Sequence, residues 1–211
     1  MTPNRWLAAF AVAVSAGQHL GALPDGLGEV GTTRVVDWID LAVPYAVVAT
    51  AAAVIASVQA PRRVWLVFAG GAIAYTQGHG IHLAANSIAN VDSSDVAHLW
   101  DEVVGHYVWY GGLAAVVAAL ALAAGGRAAT RSPVAIVLAI LFGFTVFTNS
   151  VEGGTPLLGL ATGIGFLVWG LRQRDRLAGL LVPAYAVAVA GLLGWGAYWQ
   201  GWPQFSELGW I

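Results

Sequence analysis

The chain has 211 residues, 58% of them hydrophobic and only 9% charged, with a mean hydropathy of +0.73, which excludes an ordinary soluble domain. It has no cysteine, so disulfides, thiolate metal sites and cysteine nucleophiles are excluded, and its net charge of −2 gives no expectation of a nucleic-acid partner. All nine basic residues are arginines, and without a lysine no retinal Schiff base can form.

Apolar runs of about 20 residues, the length that crosses a bilayer, recur along the whole chain. They predict an all-α, polytopic membrane bundle of seven transmembrane helices in a single domain, residues 1–211, with spans at 5–23, 36–58, 64–89, 96–124, 133–152, 154–171 and 177–199. The first run, "MTPNRWLAAFAVAVSAG", also has the layout of a cleavable signal peptide, but its apolar stretch continues to Leu23 and is long enough to span. "GALPDGLGEVGTTR" (21–34) reads as an outer loop with a short interfacial helix. Pro44 and Pro183 fall inside spans two and seven, where kinks are expected. "NVDSSD" (90–95) is a tight turn in which Ser94 or Asp92 caps the fourth span. "SVEGGTP" (150–156) turns the chain between spans five and six. The tail "QGWPQFSELGWI" is rich in aromatic residues and is expected along the outer surface.

The charges orient this bundle. Arg5, Arg62, Arg63, Arg127, Arg131, Arg172, Arg174 and Arg176 fall at one set of span ends, which the positive-inside rule assigns to the cytoplasm. Ten of the eleven acids fall at the other ends, and only Asp175 joins the arginines. The expected topology is N-terminus in and C-terminus out, in the cell membrane. Asp37 and Asp40 begin span two and read as a solvated helix N-terminus.

"TQGHGIHLAAN" (76–86) interrupts an apolar span with two histidines. Ionisable residues at membrane depth are costly and mark function. His79, His82 and Asn86 follow the i, i+3, i+7 spacing of one helix face. His98, Glu102 and His106 are spaced by four on the next span, and Thr145, Thr148, Asn149 and Glu152 line a face of span five. Antiparallel counting across the 90–95 turn puts His79 level with His106 and His82 level with Glu102, about 15 and 10 Å below the outer edge at 1.5 Å per residue. His19 and Glu152 reach similar depths.

Imidazole and carboxylate are the ligands left for zinc or iron when thiolate is absent. The expected metal ligands are His79, His82, Glu102, His106 and Glu152, for one or two ions. Glu102, Asp101 and Glu152 are the expected acid–base groups, and His19, Asn86, His98 and Asn149 the residues supporting the ligands or moving protons. A zinc ion on His79, His82 and His106 would leave a position for water and lower its pKa toward about 7. The expected function is an outward-facing membrane metalloenzyme that hydrolyses a lipid or other apolar molecule. Alternatives are a di-iron oxidase or desaturase on the same ligands, and a cation or proton transporter. The inner half of every span is almost wholly apolar, which suits a pocket better than a pore. Seven spans around a histidine-rich site resemble the membrane hydrolases that include alkaline ceramidases and adiponectin-receptor-like proteins. Those carry histidines on a late span, and the last two spans here have none.

Overall fold

A computed structural model describes residues 2–20, 27–128 and 132–210. The chain is mostly helical. Helix α1 covers Pro3–Gly17. A hairpin of β1 (Glu29–Val30) and β2 (Thr33–Arg34) follows, in the register Glu29 to Arg34 and Val30 to Thr33. It occupies the later part of the 21–34 loop, and Gly31 supplies the positive φ (+69°) that its two-residue turn requires. Residues 21–26, which include the end of the first expected span, lie outside the described residues.

Then come α2 (Val35–Asp40), α3 (Val43–Ser57) and α4 (Arg62–Ala89). Helix α5 (Asp95–His98) runs through a π-helical segment, Leu99–Gly105, into α6 (His106–Ala124). The last three helices are α7 (Pro133–Glu152), α8 (Pro156–Arg172) and α9 (Leu181–Trp199), the last preceded by a 3-10 turn at Leu177–Leu180.

Among the described residues four helical segments are long and apolar enough to cross a membrane: Val35–Ser57, Asp95–Ala124, Pro133–Glu152 and Leu177–Trp199. Helix α8, 17 residues, is apolar but shorter. Helix α4 has ample length at 28 residues. It falls outside that set because Thr76, Gln77, His79, His82 and Asn86 lower its hydropathy.

Pro44 and Pro183 each follow a break in their segment, between α2 and α3 and between the 3-10 turn and α9. Pro44 sits in the first turn of α3 and Pro183 in that of α9, where the missing N–H has no helical acceptor to lose. Ser94 Oγ accepts from Ala97 N–H at 3.2 Å and caps α5 as expected. In the 150–156 turn Gly154 takes a φ of +59°.

The core is a continuous set of buried side chains that includes Val14, Val47, Val54, Tyr75, Val116 and Ala188. Around it α4 packs along α6, α1 bridges α3 and α7, and α9 lies between α7 and α8. The α4–α6 contact is close enough to need glycine. A Cβ on Gly78 would lie 2.2 Å from the backbone nitrogen of Trp109, and one on Gly112 2.2 Å from that of Tyr75. Small residues that let helix backbones touch are the usual basis of helix association in lipid. These contacts set the register: Gly78 faces Trp109 and His82 faces Gly105, a few residues from the pairing that counting across the turn predicts.

The seam makes a local prediction. Gly78→Ala drives a methyl into backbone and is expected to cost about 1–3 kcal/mol, the usual range for overpacking. Gly80→Ala, with open space around its Cβ, is expected to stay within about 0.5 kcal/mol. Thermal unfolding in detergent compares them, and equal midpoints would contradict the register.

Candidate metal centre

Two local features bring the ligands together. On α4, His82 reaches the partner helix because Gly105 lies against it: a Cβ on Gly105 would be 3.0 Å from the His82 backbone. On the other side the chain is π-helical over Leu99–Gly105. A π turn closes i to i+5 hydrogen bonds and inserts a residue relative to an α-helix, often at functional sites. Asp101 and His106, five apart, therefore share a side with His82.

The ligand-type atoms of His82, Asp101 and His106 all lie within 4.8 Å of one another, so this group could hold a metal ion. Asp101 and His106 are buried and His82 is half-buried. His82 Nδ1 is 2.5 Å from Asp101 Oδ1. His106 Nδ1 is 3.2 Å from the Glu102 carbonyl oxygen and 3.5 Å from Glu102 Oε2. With the His106 Nδ1–H donating to the Glu102 carbonyl, its Nε2 keeps its lone pair. A carboxylate or carbonyl on the far nitrogen is the common device for orienting a metal-binding imidazole. Donors about 2.0 Å from a tetrahedral ion sit about 3.3 Å apart. To hold a single ion the group would close by about 1.5 Å, with the Asp101 carboxylate turning from His82 Nδ1 to the ion.

Aromatic rings wall the group. The His82 ring centroid is 4.5 Å from that of His106 and 5.2 Å from that of Trp109. Tyr110 stacks on His106 at 5.5 Å, with 8° between the planes.

The other expected site residues lie as follows. His79 is buried edge-on to Trp109, with Nε2 3.3 Å from Asp40 Oδ2. Glu102 stands beside His106, and its Oε2 accepts from Gln204 Nε2 at 2.9 Å. Glu152 faces the tail: its Oε2 accepts from the Phe205 amide at 2.7 Å and the Ser206 amide at 3.3 Å. His19 donates from Nδ1 to the Ser15 carbonyl at 2.7 Å and accepts from the Thr148 hydroxyl at 3.3 Å. Asn149 donates to Gln18, which donates to the Tyr75 hydroxyl at 3.1 Å. His98 is exposed at the end of α5, and Asn86 is half-buried.

Two partners escape sequence counting. Asp37 is buried with an ion pair to Arg34 at 2.8 Å, and Asp40 meets His79, so neither is a freely solvated helix end. Helix α4 runs ten residues past His79, about 15 Å, so depth measured from its outer end separates His79 from an acid that touches it. The tail is the second. It turns back over the end of the bundle, its residues half-buried or exposed, with Trp202 donating from Nε1 to the Leu192 carbonyl at 2.9 Å. Its polar residues Gln204 and Glu207 are the one sequence signal for this return.

The Glu152 contact is testable. Glu152→Gln removes the charge from two backbone hydrogen bonds, and losing such bonds costs about 1–3 kcal/mol. Hydrogen exchange at the Phe205 and Ser206 amides is expected to accelerate about tenfold or more, and unchanged exchange would mean that other contacts hold the tail. Compared with known proteins, the chain matches no family model, no curated protein and no solved structure.

Proposed function

We propose that the chain is a seven-span membrane metalloenzyme, N-terminus in and C-terminus out, with a single metal ion on His82, Asp101 and His106 near the outer ends of α4 and α6. The observation that carries this reading is the convergence of two imidazoles and a carboxylate within 4.8 Å on adjoining helices. Packing alone does not require so many ionisable groups at membrane depth, where each is expensive. The orientation rests on the segregation of eight arginines and ten acids to opposite span ends.

Three donors suit zinc with an open position, the arrangement of catalytic sites. One ion is preferred to two because Glu102 Oε2 and Glu152 Oε2 already accept hydrogen bonds from residues 204–206. When bound, zinc supplies Lewis acidity. The protein's own groups have separable tasks. The Glu102 carbonyl orients His106 through Nδ1. Glu102, half-buried and anchored by Gln204, is the group set to accept a proton. Trp109 and Tyr110 keep water from the ring faces. The substrate class that fits is a lipid or other apolar molecule entering from the outer half of the bilayer, with hydrolysis as the reaction.

Proton or cation transport on the same groups is the second reading. The Asn149–Gln18–Tyr75 hydrogen-bond chain favours it by carrying polar contacts deeper between α7, α1 and α4.

Elemental analysis of untagged protein separates these readings. Wild type is expected to carry about one zinc per chain. His82→Ala, Asp101→Asn and His106→Ala are each expected to lose most of it, at least tenfold in affinity, while His98→Ala and His19→Ala keep it. Metal in all five variants alike would contradict the ligand set. Zinc-loaded protein that leaves lipid esters intact but moves protons across vesicles would favour transport.

A further inference from the structure

The opposite end of the bundle has an apolar cavity beside a recess lined by two exposed arginines. We propose that it binds one anionic phospholipid, an acyl chain lying between α1, α6, α7 and α9 and the phosphate meeting Arg127 and Arg176. A cavity of about 240 Å³ opens between these helices, walled by Leu7, Phe10, Val117, Leu138, Phe142 and Leu181. A gap of that size in an apolar wall loses its dispersion contacts unless something fills it, and in a bilayer the available filler is hydrocarbon.

The headgroup follows from what adjoins the cavity. A recess of about 480 Å³ is lined by Thr2, Asn4, Arg127 and Arg176, and Asn4 borders both spaces. The backbone holds the two segments together, since Ala128 and Arg176 form an antiparallel bridge and Leu177 N–H donates to the Arg127 carbonyl at 2.9 Å, and both arginines line the recess. Both are exposed, and neither guanidinium makes an ion pair or side-chain hydrogen bond among the described residues. Two like charges at one recess favour an anion there, and guanidinium matches phosphate oxygens in paired hydrogen bonds. The first turn of α1, which has no side-chain cap, lines the same recess and adds the positive end of a helix dipole. Asp175 does not line the recess.

A soluble phosphate would satisfy the arginines and leave the cavity empty. A zwitterionic lipid would bring a second cation to a basic mouth. An anionic phospholipid meets both demands. The site is independent of the metal reading, because α6 separates the two by 19 residues, about 28 Å.

Native mass spectrometry of the delipidated full chain, titrated with dioleoylphosphatidylglycerol or dioleoylphosphatidylcholine, tests the proposal. One phosphatidylglycerol per chain is expected, at least tenfold tighter than phosphatidylcholine. Arg127→Gln/Arg176→Gln is expected to lose that preference, whereas Ala139→Phe, which fills the cavity, weakens both lipids about equally. The wild-type comparison decides the headgroup even if a variant fails to fold. Equal retention of the two lipids by wild type, or unchanged phosphatidylglycerol binding in a folded double-glutamine variant, would overturn the proposal. Displacement of the lipid by an equal concentration of inorganic phosphate would overturn its acyl-chain half.

Discussion

The backbone contact between α4 and α6 is the constraint from which the candidate centre follows. Gly78 and Gly112 admit the neighbouring backbone where a methyl would collide with it. Once the helices touch there, His82 has no choice but to face Gly105 and the side chains around it. The π-helical turn then decides which of two adjacent acids turns inward. Asp101 goes to His82, and Glu102 goes to His106 and Gln204. A wider helix pair, or an α-helical turn in place of the π turn, would separate these groups.

The two ends of the molecule follow different rules. Around the candidate centre several ionisable groups have a polar or charged neighbour, as burial favours. His79 has Asp40, Glu152 has two tail amides, and His19 has Ser15 and Thr148. The Asn149–Gln18–Tyr75 chain ties α7, the end of α1 and α4 beneath them. At the far end such pairs give way to an apolar cavity and two exposed arginines that line one recess.

Much of the helical layout was readable from hydropathy. The run at 133–152 coincides with Pro133–Glu152, and 96–124 and 177–199 differ little from Asp95–Ala124 and Leu177–Trp199. Apolar length is a strong signal, because the bilayer sets it. That His82 and His106 stand near one another was also readable, since their helices are joined by a short turn, but Asp101 was expected as an acid–base group and Glu102 as the ligand. Their exact partners were not. Spacing by four puts His98, Glu102 and His106 on one face only if the helix stays α, and nothing in "LWDEVVG" announces a π turn. The pairing of Asp40 with His79 depends on how far α4 extends past α2, a tertiary fact with no local sequence mark. The same holds for the tail, whose aromatic composition suits an interface as well as it suits packing against α9.

The most direct test of the ligand set is X-ray absorption at the zinc edge of metal-loaded protein in detergent. Two imidazoles and one carboxylate on the ion predict nitrogen and oxygen scatterers at about 2.0–2.1 Å, with outer-shell scattering from two imidazole rings that falls to one in His106→Ala. A spectrum with no imidazole scattering, or one that His82→Ala and His106→Ala leave unchanged, would contradict the assignment of the centre to α4 and α6.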